Sequence, residues 1–185
     1  MTAVTSLVIR PGERLTVHSC TVQPDWIDYN GHMNVAYYVL AFDQAVDALF
    51  DFMGLNDAYR ARHNASTFAL ETHICYLQEV HLGDPLRFEI QLLDLDEKRF
   101  HYINHMIHDE TGALCATAEW ISAHMDMSAR RVAPFRSDVM DRFRELWAAH
   151  RDMPWPAQAG SRIGIRRRPP TAGEAPEAAA EKTPE

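Results

Sequence analysis

The chain has 185 residues, of which 46% are hydrophobic, and it carries a formal net charge of −8. This length and composition suit one globular domain, alone or followed by a tail. The negative charge argues against a nucleic-acid-binding protein, and the lack of an uninterrupted apolar run of roughly 20 residues argues against a membrane-spanning one.

The N-terminal region predicts a lead-in followed by a strand. Residues 1–12 have no regular pattern, so we expect the folded domain to begin at residue 13. From residue 14 to residue 22 apolar and polar residues alternate, starting with Leu15 and Val17, and this alternation is typical of a strand.

A long amphipathic helix is predicted over residues 35–53. The apolar side chains that recur at spacings of three and four are Val35, Tyr38, Val39, Phe42, Val46, Leu49, Phe50 and Met53. The residues on the opposite side are Asp43, Gln44, Asp47 and Asp51. Gly54 supplies the left-handed residue that commonly ends a helix.

The rest of the domain is predicted to contain a connecting segment, four strands and a terminal helix. Residues 56–65 are polar and helix-compatible, and they predict a short connecting turn or lid. Alternating apolar residues between polar turns predict strands over residues 67–78, 86–92, 100–108 and 113–127. Helical spacing predicts the terminal helix over residues 134–150, with Ser137 or Asp138 as its cap.

Composition divides the chain into a domain over residues 13–152 and a tail over residues 153–185. The tail is rich in Pro, Ala and charge, and we expect it to be disordered because it cannot bury enough apolar surface. A long helix followed by an antiparallel meander predicts an α+β fold in which the sheet wraps around the helix. A single sheet of this size leaves open edges and an apolar outer face, which dimerisation would cover.

A polar turn stands directly before the long helix. Its members are Asp28, Asn30, Gly31, His32 and Asn34. The first backbone N–H groups of a helix are unpaired and lie at the positive end of its dipole, so they polarise a carbonyl or hold an anion. Asn34 is a suitable N-cap, and Gly31 permits a sharp turn. The alternative is that Asp28 and Asn34 only cap a turn and a helix.

Cysteine and histidine usage gives no sign of a metal site or a disulfide framework. Three cysteines, far apart, indicate a reducing compartment, and with no signal-peptide segment we expect a soluble, cytoplasmic protein. His101 and His105 would share a strand face but lie too far apart for one ion, and His108 points the other way, so no metal is expected.

The string DYNGHMN from Asp28 to Asn34, followed by VAYY and the amphipathic helix, resembles hotdog-fold acyl-CoA thioesterases of the 4-hydroxybenzoyl-CoA thioesterase-like group. That group has an aspartate, a few residues, and then G-H-x-N before its central helix. The segment CYLQEVHLGDPL over residues 75–86 is similar to a strand, turn and strand of the same family. The resemblance covers roughly residues 14–135, and within the family the chain looks most like thioesterases associated with carnitine dehydrogenase, which act on betainyl-CoA.

The resemblance implies hydrolysis of an acyl-CoA thioester, with betainyl-CoA favoured and glycine betaine and CoA as products of a step in carnitine degradation. Helix N–H groups would bind the carbonyl oxygen, and Asp28 would either attack it or activate a water. His32 and Asn34 would orient the carbonyl or water, and Asn30 would hold Asp28. No separate cofactor is expected, because coenzyme A is part of the substrate.

An aromatic cage is a further hypothesis, because a betainyl group carries a quaternary ammonium. Trp26 and Tyr29 are its best candidates, since they lie in the turn; the other aromatic residues considered are Tyr37, Tyr38 and Trp120. Gly31 and Met33 belong to the same substrate-binding turn. Glu71 and His73 share a strand face and would complete a site across a dimer, or else form only a solvated face.

Candidate CoA-binding residues are basic, because CoA brings phosphates. They are the pairs Arg130-Arg131 and Lys98-Arg99, with residues 166–168 of the tail as an alternative. The family also implies a homodimer or homotetramer with sites at the subunit interface, and association with a dehydrogenase is a further expectation. Two alternatives stay open: a thioesterase for another short-chain or aromatic acyl-CoA, and a non-catalytic acyl-CoA-binding module.

Overall fold

The computed structural model describes residues 7–165. Its elements are β1 (Leu15–Thr21), α1 (Val35–Met53), α2 (Asp57–His63), β2 (Ala65–Tyr76), β3 (Pro85–Leu95), β4 (Arg99–His108), β5 (Leu114–Asp126), β6 (Arg131–Val132) and α3 (Ser137–His150). One turn of 3-10 helix, Pro24–Trp26, follows β1. No helix among the described residues is both long enough and apolar enough to cross a membrane.

The strands form one antiparallel sheet that curls around α1. Their order is β1-β3-β4-β5-β2, with the short β6 paired to β5. α1 packs on the inner face, where Phe42 meets Phe88 edge-on at 5.8 Å and Phe50 meets Phe100 at 6.0 Å between ring centroids. The predicted α+β hotdog fold is therefore confirmed.

The bounds of α1 follow from its two caps. At its start, the side-chain oxygen of Asn34 accepts a hydrogen bond from the backbone N–H of Ala36 at 3.0 Å. At its end, Gly54 adopts φ of 82°, a left-handed conformation that a side chain would disfavour. These caps match the predicted helix over residues 35–53.

The apolar face of α1 differs from its prediction near the start. The sequence pattern assigns Val35 and Val39 to the buried face, but both are exposed in the protomer, as is Leu40. The buried apolar residues of α1 are instead Tyr38, Ala41, Phe42, Ala45, Val46, Leu49 and Met53. Ala41 and Ala45 belong to the buried face, where their small side chains let the helix lie close to the sheet, whereas Val35 and Val39 lie outside that face.

Two local features after α1 also differ from those predicted from the sequence. The connecting segment contains a true helix, α2, which Asn56 caps through a side-chain bond to the backbone N–H of Tyr59 at 3.0 Å. The N-cap of α3 is Arg136, without a side-chain cap bond, and not Ser137 or Asp138. β6 is too short to leave a periodic signal in the sequence.

The C-terminal segment of residues 153–162 lies on the outer face of the sheet. Gln91 donates to the carbonyl of Pro154 at 3.1 Å, and the backbone N–H of Gly160 lies 2.8 Å from a carboxylate oxygen of Glu119. Ser161 contacts His73 at 3.3 Å. These contacts differ from the disordered tail predicted from residue 153. Residues 166–185, which include the candidate basic run 166–168, lie outside the described residues.

β2 is an edge strand with apolar side chains. Phe68 and Leu70 are exposed, Leu70 by 53%. Its unpaired N–H and C=O groups and these side chains together form a surface suited to pairing with another strand.

His105 is a buried base on β4. It is 1% exposed, and its Nδ1 lies 3.3 Å from the carbonyl oxygen of Glu89. Burial, and secondarily the charge of Arg14, lowers the pKa of His105 from 6.5 to about 4. Below pH 6.5 the unfolded chain therefore binds a proton at this position that the folded chain does not accept.

We expect this histidine to make the fold acid-sensitive. Its contribution is fully present above pH 6.5 and is lost as the pH falls towards about 4, by roughly 3 kcal/mol in the free energy of unfolding. His105→Gln should remove this loss, measured by urea denaturation across that range. His81→Gln, at an exposed position, is the control and should keep the wild-type slope. Parallel slopes for His105→Gln and the wild type would contradict the assignment.

Candidate active site

Backbone hydrogen bonds hold the polar turn before α1 in a defined shape. The N–H of Asp28 donates to the carbonyl of His32 at 3.1 Å, and the N–H of Gly31 donates to the carbonyl of Asp28 at 3.0 Å. Gly31 has φ of 82°, so this turn needs a glycine. Met33 is buried, and its N–H donates to the carbonyl of Val80 at 2.9 Å, which ties the turn to the sheet.

The carboxylate of Asp28 is half-buried and held at both oxygens. Oδ1 accepts from the backbone N–H of Asn30 at 2.8 Å, and Oδ2 accepts from the side-chain amide of Asn34 at 3.2 Å. The role predicted for Asn30 is thus performed by its backbone and not by its side chain. Asp28 is fixed in orientation while it stays partly open to solvent.

Asn34 connects that carboxylate to the start of α1. Its Nδ2 donates to Asp28 while its Oδ1 accepts from Ala36. The N–H of Tyr37 bonds to the carbonyl of Asn34 at 3.0 Å. Among the described residues the N–H of Val35 has no acceptor outside the helix, which leaves it as the first-turn donor free for a ligand.

His32 is half-buried beside the turn. Its Nδ1 lies 3.3 Å from the carbonyl oxygen of Met33. Because a carbonyl oxygen only accepts, Nδ1 carries the proton in the neutral ring, and Nε2 is left as an acceptor. In this form His32 can accept a hydrogen bond from water and cannot donate one from Nε2 to a carbonyl.

The aromatic candidates take different positions. Trp26 is only 8% exposed and stacks on Tyr37 with ring centroids 5.8 Å apart, whereas Tyr29 is 95% exposed. Tyr38 meets Tyr76 edge-on at 5.2 Å, and burial raises the pKa of Tyr38 to about 12, so its hydroxyl stays protonated. Within one protomer these rings do not surround a common space.

The structure places Glu71 and His73 on the outer face of the sheet. His73 pairs in register with Glu119, whose carboxylate accepts a hydrogen bond from Nε2 of His101 at 2.7 Å on that face. Phe100 and α1 lie on the inner face. The sheet therefore separates Glu71 and His73 from Asp28 of the same chain.

The basic candidates lie at the far end of the sheet from Asp28. Lys98 and Arg99 occupy the turn between β3 and β4, where Arg99 is paired with Asp96 at 2.6 Å. Arg130 and Arg131 follow the end of β5. The turn before α1 is instead tied to the start of β3, and an 11-residue strand spans roughly 35 Å.

A cavity that the sequence reasoning missed lies between α1, α2 and the sheet. Its volume is about 280 Å³, and we call it the acidic cavity. It is lined by Asp43, Val46, Asp47, Phe50, Arg60, Ser66, Thr67, Ala69, Tyr102, Trp120 and Ser122. The aspartate spacing on α1 is the sequence signal for this cavity, although the pattern alone indicates only the polar side of the helix. No group of three His, Cys, Asp or Glu side chains within residues 7–165 is placed to hold a metal ion.

Comparison with known sequences identifies the family. The Thioesterase-like superfamily matches residues 22–143. A betainyl-CoA thioesterase of Pseudomonas aeruginosa is 37% identical over 151 residues, which are 82% of this chain and 95% of that protein. An L-carnitine dehydrogenase/betainyl-CoA thioesterase of Rhizobium meliloti is 36% identical over 147 residues, which are 79% of this chain and 29% of that longer protein.

Comparison with solved structures supports the same fold. A Staphylococcus aureus protein in complex with CoA has a TM-score of 0.78 and 28% identity, over 83% of this chain and 98% of that one. A 1,4-dihydroxy-2-naphthoyl-CoA thioesterase from Synechocystis shares the fold, with a TM-score of 0.63 at 15% identity over 70% of this chain and 95% of that one. The chain therefore belongs to the Thioesterase-like superfamily, and it is a thioester hydrolase with the hotdog fold.

Proposed function

We propose that this chain hydrolyses acyl-CoA thioesters and that betainyl-CoA is its favoured substrate, with glycine betaine and CoA as products. The observation that carries the proposal is the Asp28 carboxylate tied by Asn34 to the N-terminus of α1. The named activity of the Pseudomonas aeruginosa relative supports the substrate.

The start of α1 is the proposed oxyanion site. The thioester carbonyl oxygen would accept from the free N–H of Val35, where the positive end of the helix dipole stabilises developing negative charge. A tetrahedral centre then collapses with cleavage of the C–S bond, and the thiolate of CoA leaves. This donor stays in place because both neighbouring amides are already paired.

Asp28 supplies the attacking oxygen by one of two routes. As a general base it takes a proton from water, and the resulting hydroxide attacks the carbonyl carbon. As a nucleophile it forms an acyl–aspartyl anhydride, which water hydrolyses in a second step. Under either route Asn34 and the backbone of Asn30 orient the carboxylate, and the acceptor Nε2 of His32 positions the water.

The proposed working unit is a homodimer paired through β2. The free edge of β2 with exposed Phe68 and Leu70 supports an antiparallel pairing about a two-fold axis, and exposed Val35 and Val39 of α1 would be covered by the same contact. Such a pairing, centred near Leu70, brings the beginning of one β2 beside the end of the other.

This pairing also bears on CoA binding. Arg130 and Arg131 lie near the beginning of β2, because Asp126 of β5 pairs with Ala65. The turn with Asp28 lies near the end of β2. In the dimer each arginine pair would therefore lie on the same side as the partner's thioester site, where it would contact the phosphates of CoA at a distance from the reacting carbonyl. Arg99 is already paired with Asp96, so Lys98 and Arg99 are the less available candidates.

The first expected result concerns the carboxylate. Asp28→Asn should lower kcat for betainyl-CoA by at least about 100-fold, because an amide is neither a base nor a competent nucleophile. Asp25→Asn, an exposed acid three residues earlier, is the matched control and should keep wild-type turnover. Release of CoA thiol gives the rate, and wild-type turnover by Asp28→Asn would remove Asp28 from the mechanism.

The second expected result concerns the acyl group. A panel of betainyl-CoA, 4-hydroxybenzoyl-CoA and 3,3-dimethylbutanoyl-CoA, the neutral carbon isostere of betainyl-CoA, tests preference. We expect kcat/KM to be at least about tenfold higher for betainyl-CoA than for its isostere. Preference for the aromatic or neutral ester would favour another acyl-CoA as substrate. Binding of the esters without thiol release would favour a non-catalytic acyl-CoA-binding module.

The third expected result concerns the phosphates of CoA. Arg131→Gln should raise KM for betainyl-CoA about three- to tenfold with little change in kcat, since it removes an ionic contact remote from the reacting carbonyl. The pantetheine thioester, which lacks these phosphates, should be unaffected. Arg144→Gln on α3 is the control. Equal KM values for Arg131→Gln and the wild type would exclude the contact.

A further inference from the structure

The acidic cavity has features that suit a small organic cation. Asp43 and Asp47 lie one turn apart on α1, and neither makes an ion pair within the described part of the chain. Arg60, which also lines the cavity, is held by Asp57 and by the carbonyl of Leu55. The two carboxylates therefore leave an excess of negative charge at the cavity.

The raised pKa of Asp47 is consistent with this excess of negative charge. Burial raises the pKa of Asp47, and the neighbouring charge of Asp43 raises it further. Asp43 and Asp47 are both exposed on the surface of the helix, and two neighbouring carboxylates that repel each other are stabilised when a cation enters between them. The local field thus favours a positively charged occupant.

The inner wall of the cavity is aromatic, and two of its polar atoms lack a hydrogen-bond partner. It contains the rings of Phe50, Tyr102 and Trp120, and ring faces attract cations. The hydroxyl of Tyr102 and Nε1 of Trp120 are buried without a hydrogen-bond partner among residues 7–165. Tyr102 is fully buried and Trp120 is 8% exposed. Nε1 of Trp120 only donates and the hydroxyl of Tyr102 donates or accepts, so water held in the cavity beside a cation would pair them.

The cavity cannot serve the carbonyl site of its own protomer. Asp43 lies nine residues after Asn34, which is roughly 13 Å along the helix. In a betainyl group only one methylene separates the carbonyl carbon from the ammonium nitrogen, a distance of about 2.5 Å. A betainyl group held in the acidic cavity must therefore have its carbonyl bound somewhere other than the start of α1 in the same protomer.

The proposed dimer supplies that carbonyl. α1 runs antiparallel to β2, since Tyr38 meets Tyr76 near the start of the helix while the cavity places Asp47 with Ser66 and Thr67. Two-fold pairing of the β2 strands therefore brings the start of one α1 towards the acidic cavity of the other protomer.

We propose that Asp43 and Asp47, with the rings of the acidic cavity, bind the trimethylammonium group of a betainyl thioester whose carbonyl is held at the start of α1 in the second protomer. The proposal rests on the proposed betainyl-CoA hydrolysis and on the dimer, and it names the residues that select the acyl group. Asp43 and Asp47 are specificity residues here, and they take no part in bond making or breaking.

The experiment compares the two esters in matched helix variants. Asp43→Asn, Asp47→Asn and the double variant should lower kcat/KM for betainyl-CoA by about tenfold or more, while kcat/KM for 3,3-dimethylbutanoyl-CoA stays within about twofold of the wild type. Asp51→Asn, one turn further along α1 and outside the cavity lining, is the control for both esters. Equal losses for both esters, or losses no larger than those of Asp51→Asn, would overturn the proposal.

A second measurement separates this proposal from the proposed function. Tetramethylammonium should inhibit the wild type competitively with whichever acyl-CoA it hydrolyses, and the double variant should require at least about tenfold more of it. If the wild type prefers a neutral acyl-CoA but retains this inhibition, betainyl-CoA fails as the substrate and the cation site stands. If betainyl-CoA is preferred and the Asp43 and Asp47 variants behave as the wild type, the proposed function stands and the cation site fails.

Discussion

One side-chain amide connects the candidate chemistry to the fold. Asn34 caps α1 with its oxygen and holds the carboxylate of Asp28 with its nitrogen. A shift of the helix start would therefore move the carboxylate as well, so the two parts of the proposed site keep a fixed relation. The first-turn amide left free, that of Val35, lies beside this link. Such preorganisation is what stabilisation of an oxyanion requires.

The sheet in turn fixes the start of α1. Phe42 and Phe50 pack edge-on against rings of the sheet, and Met33 bonds to Val80 directly before the helix. This rigid packing lets one protomer present an oriented carboxylate while leaving apolar groups of α1 and β2 exposed. In the proposed arrangement a single protomer holds two separate halves of a site, the carbonyl site at the start of α1 and the acidic cavity beside the middle of that helix. The proposed two-fold pairing brings complementary halves together.

Side chains on the two faces of β4 and β5 belong to different surfaces of the protein. The inner face of β4 and β5 supplies Tyr102 and Trp120 to the acidic cavity, whereas the outer face carries His101 and Glu119 beneath the C-terminal segment. This division explains why Glu71 and His73, which sequence reasoning assigned to the substrate, lie apart from Asp28 in the protomer. Their proximity in sequence to the inner-face residues says nothing about which side of the sheet they occupy.

Local patterns in the sequence were enough for the bounds of α1, for the four long strands and for the grouping of Asp28, His32 and Asn34, because periodicity, capping and turn chemistry act over a few residues. Only the tertiary structure decided that Val35 and Val39 are exposed, that residues 153–162 lie on the sheet, and that Asp43 and Asp47 share a cavity with Tyr102 and Trp120. Those outcomes depend on how strands far apart in sequence pair and on which side of a helix the sheet covers. The spacing of neighbouring residues determines neither the strand pairing nor the covered side of the helix.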